Sequence, residues 1–165
     1  METTFPRLLI EHAKARPDVP ALREKEYGIW QTLSWAQLLD LVRELAAGLA
    51  DAGLARDGHL VLIGENRPVL YACAIAAQVL GAVPIPLYQD AVAAELTFPL
   101  ANAEVAHAVV EDQEQLDKLL EIRPDCPLLT HIWFDDPRGL RRMDEPGVAS
   151  LEALRDRGRQ YLATH

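Results

Sequence analysis

His59–Tyr88 reads HLVLIGENRPVLYACAIAAQVLGAVPIPLY, and its three parts decide the fold. Leu60, Val61, Leu62 and Ile63 form a short apolar run. A polar turn, Gly64-Glu65-Asn66, opens an apolar helical stretch from Pro68 to Leu80, with Asn66 as its expected N-cap. Gly81 closes that stretch, and a second apolar run follows from Ala82 to Leu87. Strand, helix and strand in this order give two parallel strands, because the crossover is far longer than a hairpin. The helix is apolar nearly all round, with Tyr71, Cys73 and Gln78 its least apolar members. A helix without a polar face is buried on more than one side. It is too short to span a membrane, which takes about 20 apolar residues.

Upstream, Thr4 and Pro6 mark the start of a first helix with Leu8, Leu9, His12 and Ala13 inward, and Pro17 ends it. Pro20–Glu24 and Ile29–Leu33 flank a turn at Tyr27-Gly28 and read as a hairpin. Ser34 and Gln37 match a capping box. Trp35, Leu38, Leu39, Val42, Leu45, Ala46 and Leu49 then follow at helical spacing, while Gln37, Asp40, Arg43 and Glu44 face water. Gly53 suits a left-handed helix cap. Downstream the alternation continues: a helix over 93–100, a strand over 107–110, and a helix from the Asp112/Gln115 cap to Ile122. Leu128–Phe134 is a further strand, residues 135–149 form a loop, and Ser150 caps a last helix to about residue 162, with Leu151, Leu154 and Tyr161 inward. Alternating strands and helices predict an α/β domain: a largely parallel sheet flanked by helices, with a small N-terminal hairpin.

The chain has 165 residues, enough for one domain with a substantial core, and a formal net charge of −9. That acidity argues against nucleic acid and anionic membrane surfaces, both of which select for Lys and Arg. The N-terminus lacks the apolar stretch of a secretory signal. Cys73 and Cys126 stand in unrelated contexts with no metal-binding spacing, which fits a reducing cytoplasm. No GxGxxG, GxxxxGK[ST] or GxSxG occurs. The five histidines (His12, His59, His107, His131 and His165) are scattered. Glu65 and Arg67 can pair across their turn. The acidic pairs Glu111-Asp112 and Asp135-Asp136 fall at predicted strand ends, where solvation in loops is the simplest reading. No residue is therefore nominated as catalytic, cofactor-binding or metal-binding.

Several stretches together resemble one family. SWAQLLDLVRELAAGLADAGL (34–54) and the ENRP turn, small-residue helix and GAVPIPLY strand of 59–88 are similar to the N-terminal region of adenylate-forming acyl-CoA synthetases. AELTFPLANAEVAHAVVEDQEQLDKLLEI (94–122) and HIWFDDPRGLRRMDEPGVASLEAL (131–154) resemble the long-chain fatty acyl-CoA synthetase branch. The resemblance implies that residues 1–165 are an N-terminal fragment of the synthetase fold. It implies a reaction in which ATP and a carboxylate give an acyl-adenylate, which CoA then intercepts. ATP, Mg²⁺ and CoA are expected for the full-length enzyme. The family's Ser/Thr/Gly-rich loop ending in Pro-Lys-Gly and its later nucleotide motifs do not occur in these residues. The isolated piece is thus expected to be inactive, with the missing remainder of the synthetase as partner and an exposed apolar face for self-association.

Overall fold

The computed structural model describes residues 3–140 and 143–165. Helix α1 (Phe5–Ala15) leads into a hairpin of β1 (Pro20–Glu26) and β2 (Ile29–Ser34), which runs directly into α2 (Trp35–Asp51). The hairpin turn is tight because Tyr27 and Gly28 both adopt positive φ, 47° and 82°. Ser34 caps α2 as a complete capping box with Gln37, and Gly53 takes the left-handed conformation beyond its end at φ 93°. Then come β3 (His59–Ile63), α3 (Pro68–Val79), β4 (Val83–Leu87), α4 (Ala93–Asn102), β5 (His107–Val110), α5 (Gln113–Ile122), β6 (His131–Phe134), β7 (Val148–Ser150) and α6 (Leu151–Thr164).

The five strands β3 to β7 form one parallel sheet in the order β4-β3-β5-β6-β7. The sequence reading of an α/β domain with a separate small hairpin therefore holds. Successive strand residues point to opposite faces, so the central strands feed two cores. Leu60, Leu62, Val109 and Trp133 pack with α2, α3 and α6 on one face. Val61, Ile63, Ala108, Val110, Ile132 and Phe134 pack with α4 and α5 on the other. The apolar α3 is buried between the sheet and α2, with Ala72, Cys73, Ala76 and Ala77 inaccessible. Small side chains let the helices approach that closely.

At the sheet edge, the Val83 amide donates inward to the Gly58 carbonyl at 2.8 Å. Backbone amides alternate direction along a strand, so the positions of Pro84 and Pro86 face outward. Proline has no amide hydrogen, which removes donors from an otherwise adhesive edge.

Four details differ from the sequence reading. The N-cap of α3 is Arg67, not Asn66, and neither side chain caps it. Proline at the first helical position forces the residue before it into extended geometry, and Arg67 has ψ 147°. The Asn66 side chain instead accepts a 3.3 Å hydrogen bond from the Tyr71 hydroxyl. Within the segment read as loop, Val148–Ser150 is a short strand on the edge of β6; Arg141 and Arg142 of that segment lie outside the described residues. The strand read from Leu128 begins only at His131. Glu44, expected to face water, is taken up by Arg155 and Arg159 of α6 at 2.8 and 3.0 Å.

Candidate functional site: a charged cleft at the strand ends

The chain order of the strands creates a crevice. From β3 the sheet first grows to one side (β4) and then to the other (β5). The helix after β3 packs on one face of the sheet and the helix after β5 on the opposite face. The loops leaving the carboxyl ends of β3 and β5 therefore diverge, and such a switch point is where open α/β sheets place ligands. A cleft of about 450 Å³ lies here, overhung by the hairpin tip at Lys25, Glu26 and Tyr27.

Its floor is a set of charges gathered from separate strands. Glu111 follows β5 directly and lies beside the end of β3. Its carboxylate accepts the Glu65 amide and the Arg67 Nε, each at 2.5 Å. Arg67 also approaches Glu24 at 3.5 Å and Glu65 at 3.9 Å. The pairing of Glu65 with Arg67 read from the sequence is thus present, as the longest of three contacts. The Glu111 hydrogen bond holds the Arg67 guanidinium above its ordinary pKa. Gly64 makes this seat possible: a Cβ there would stand 2.6 Å from the Glu111 Cβ and 2.9 Å from a Leu70 methyl.

Asp135 and Asp136 follow β6 and extend the ladder, with the Asp135 amide donating to Val110 at 3.0 Å and the Asp136 amide to the Glu111 carbonyl at 2.7 Å. Burial pushes the Asp135 carboxyl up to about 6; Glu111, Glu24 and Asp136 push the same way and Arg67 opposes them. Asp136 is held below its ordinary value by the Arg138 guanidinium, which hydrogen-bonds it.

This arrangement can do two things. It sets one carboxyl, Asp135, to exchange its proton near neutral pH at the wall of an open cleft. It also disfavours anions. The lining carries Glu26, Glu111, Asp135 and Asp136, and two of its three cations, Arg67 and Arg138, already have carboxylate partners. The described lining is therefore a poor seat for a polyphosphate such as that of ATP.

The sequence placed both acidic pairs at strand ends but read them as solvated. Asp112 does cap α5, accepting from the Gln115 amide at 3.2 Å. Glu111 is different: its side chain is only 12% exposed and clamped by Arg67. The available signal was that Glu111 and Asp135 each stand one residue past an apolar strand. Neighbouring parallel strands bring such positions to one end of the sheet. The five histidines form no common site; His107 and His131 are neighbours under α6, and no group of three metal-ligating side chains occurs among the described residues.

Known proteins share this architecture. A long-chain-fatty-acid–CoA ligase of Rattus norvegicus is 30% identical over 122 residues, covering 74% of this chain and 18% of that protein. An uncharacterized protein of Mycobacterium tuberculosis is 35% identical over 97 residues, 59% of this chain and 54% of that one. The acetoacetyl-CoA synthetase of Streptomyces lividans superposes with a TM-score of 0.80 over 90% of this chain and 24% of that one, a likeness of fold at 22% identity. The chain thus spans less than a fifth of the rat ligase it matches. Residues 9–155, almost the whole sheet and its helices, match the AMP-binding enzyme family, and the chain belongs to that family.

Proposed function

We propose that these residues build the supporting N-terminal part of an ATP-dependent acyl-CoA ligase of the long-chain fatty acid branch. The observation that carries the reading is the family match over residues 9–155, together with relatives of which the chain spans 18%. In such an enzyme ATP, Mg²⁺ and CoA act on a carboxylate, and the donors that stabilise phosphate charge are supplied by other polypeptide. The charged cleft is then a rigid brace at the sheet's carboxyl end, and the 165 residues alone do not turn over. Cytoplasmic work and a need for the remaining synthetase portion belong to the same proposal.

ATP–pyrophosphate exchange with palmitate tests it directly. The 165 residues alone should give no exchange above a protein-free control. Exchange by the isolated chain would overturn the assignment of the chemistry to other polypeptide.

A second reading is a non-catalytic module of this fold. The Mycobacterium relative favours it, since this chain's match accounts for 54% of that protein, against 18% of the rat ligase. Stable capture of a partner unrelated to a synthetase would support the module reading over the first.

A further inference from the structure

The strand edges of this protein are protected unequally. β4 is blocked by Pro84 and Pro86, and β7 is only three residues long. In the hairpin, β1 carries Pro20 and four successive charges, Arg23 to Glu26. β2 reads IWQTLS, with no proline and no charge, in a molecule of net charge −9. β1 is the inner strand: Ala21 and Leu22 face an apolar hollow over α3, and Lys25 and Glu26 overhang the cleft, while neither lining includes a β2 residue among those described. β2 is thus the outer strand, with Ile29 65% and Trp30 58% exposed. No backbone hydrogen bond outside the hairpin ladder involves residues 29–33 among the described residues.

The turn sets which groups of that edge are free. With Tyr27 and Gly28 as a two-residue turn, Glu26 and Ile29 are the hydrogen-bonded pair that closes it, and Glu24 and Gln31 are the next. The N–H and C=O of Trp30 and Thr32 therefore point away from β1. The Arg23 guanidinium lies 4.9 Å from the centroid of the Trp30 ring and holds it against its own hairpin.

We propose that β2 pairs antiparallel with β2 of a second copy of this chain, about a twofold axis at Gln31. In this register Trp30 and Thr32 of the partner subunit exchange both backbone hydrogen bonds, and symmetry repeats the exchange. The side chains also match: Trp30 meets a β-branched threonine, Ile29 meets a leucine, and Gln31 meets its own copy. A shift by one residue would set outward amides against inward ones. A shift by two would run the pairing into the Tyr27-Gly28 turn or into the α2 cap at Ser34. Two acidic molecules can meet here because the pairing strand brings no charge. The outer edges of the resulting four-stranded sheet are the charged β1 strands, so pairing stops at two copies. The inference stands on the hairpin alone and is independent of the ligase reading.

The experiment measures the mass of the full 165-residue chain by sedimentation equilibrium from about 5 to 500 µM, since dimerisation follows mass action. A monomer–dimer equilibrium without larger species is expected. Gln31→Lys sets two like charges face to face at the axis and should weaken the dimer about threefold or more. Thr32→Pro removes an outward donor that β1 does not use and should leave a monomer across the range, with circular dichroism to verify that it stays folded; Gln31→Lys, at an exposed position, carries the test if it does not. Gln31→Cys reports the register. Under mild oxidation it should form an interchain disulfide, whereas Asp40→Cys on the exposed face of α2 should not; the native Cys73 and Cys126 are buried. A monomer at every concentration would overturn the proposal. So would association that continues past the dimer, a dimer unmoved by Gln31→Lys, or equal cross-linking of the two cysteine variants.

Discussion

Single residues in this protein carry charge balances that cannot be seen from their neighbours in the chain. His107 opens β5 and Asp135 follows β6, so they lie near opposite ends of the sheet, and both titrate away from their ordinary values. His107 is 6% exposed, its Nδ1 has no hydrogen-bond partner, and its ring lies parallel to those of His131 and Trp133 at 5.0 and 5.7 Å. Burial, and then His131, lower its pKa to about 4. Arg157 of α6 and Arg123, at the end of α5, face the same cluster through His131, which burial and these two cations also lower. Between pH 6.5 and 4 the unfolded chain binds a proton at His107 that the folded chain refuses, so stability falls as pH falls through that window. The loss is about 2 kcal/mol after allowing for solvent screening. Asp135 works oppositely. Its folded pKa of about 6 lies above the ordinary 3.8, so the folded chain holds the extra proton and stability rises as pH falls from 6 toward 3.8. Urea melts across pH 4 to 8 separate the two. His107→Phe should flatten the acid loss. Asp135→Asn should gain stability at pH 8 and lose that gain by pH 4. Reversal of either slope would refute the corresponding assignment.

At the scale of elements, the packing of α6 on α2 depends on two glycines, Gly48 and Gly158. A Cβ at Gly158 would stand 1.9 Å from the Glu44 carbonyl oxygen, and one at Gly48 would stand 2.3 Å from the Leu154 carbonyl oxygen. The obstructing atoms are backbone, so the helices themselves must part. Around this contact, Arg155 and Arg159 share Glu44, and Arg157 reaches Asp51 at 2.7 Å. Ala is favoured over Gly in an isolated helix by about 1 kcal/mol. Gly158→Ala should nonetheless destabilise the protein by about 2–4 kcal/mol, because overpacking against backbone outweighs propensity. Thermal melts of Gly158→Ala and of Glu44→Gln locate the cost: the ion pairs are partly exposed and should be worth about 1 kcal/mol or less. A Gly158→Ala protein as stable as its parent would show that the two helices are not in close contact. The elements themselves were legible in the sequence, because Ser34, Asp112 and Ser150 announce their helices through local chemistry that tertiary contacts did not overrule. Val148–Ser150 was not, since three residues are too few to show periodicity and only β6 beside them makes a strand.

Across the whole molecule, the α/β class followed from strand and helix patterns spread over many residues, whereas the strand order, the two cores and the cleft followed from none. Leu60–Ile63 is apolar at every position, so the run marks a buried strand without assigning its faces. The Arg67–Glu111 clamp joins positions 44 apart in the chain, and only the ordering of β3 beside β5 brings them together. That ordering also fixes how the protein should unfold. Leu60 and Leu62 feed one core while Val61 and Ile63 feed the other, and β5 and β6 divide in the same way. Losing α4 and α5 would strip one face of strands whose other face still needs α2, α3 and α6, so neither core outlasts the other. Trp133 reports on the first core at the sheet, while far-UV circular dichroism reports on all helices. In urea the two signals should follow one transition with a common midpoint, as a single cooperative unit requires. Trp30→Phe together with Trp35→Phe isolates the Trp133 signal from the hairpin and α2. An earlier Trp133 midpoint would mean that the core beneath α6 opens while α4 and α5 stay folded, and that the shared strands do not couple the two faces.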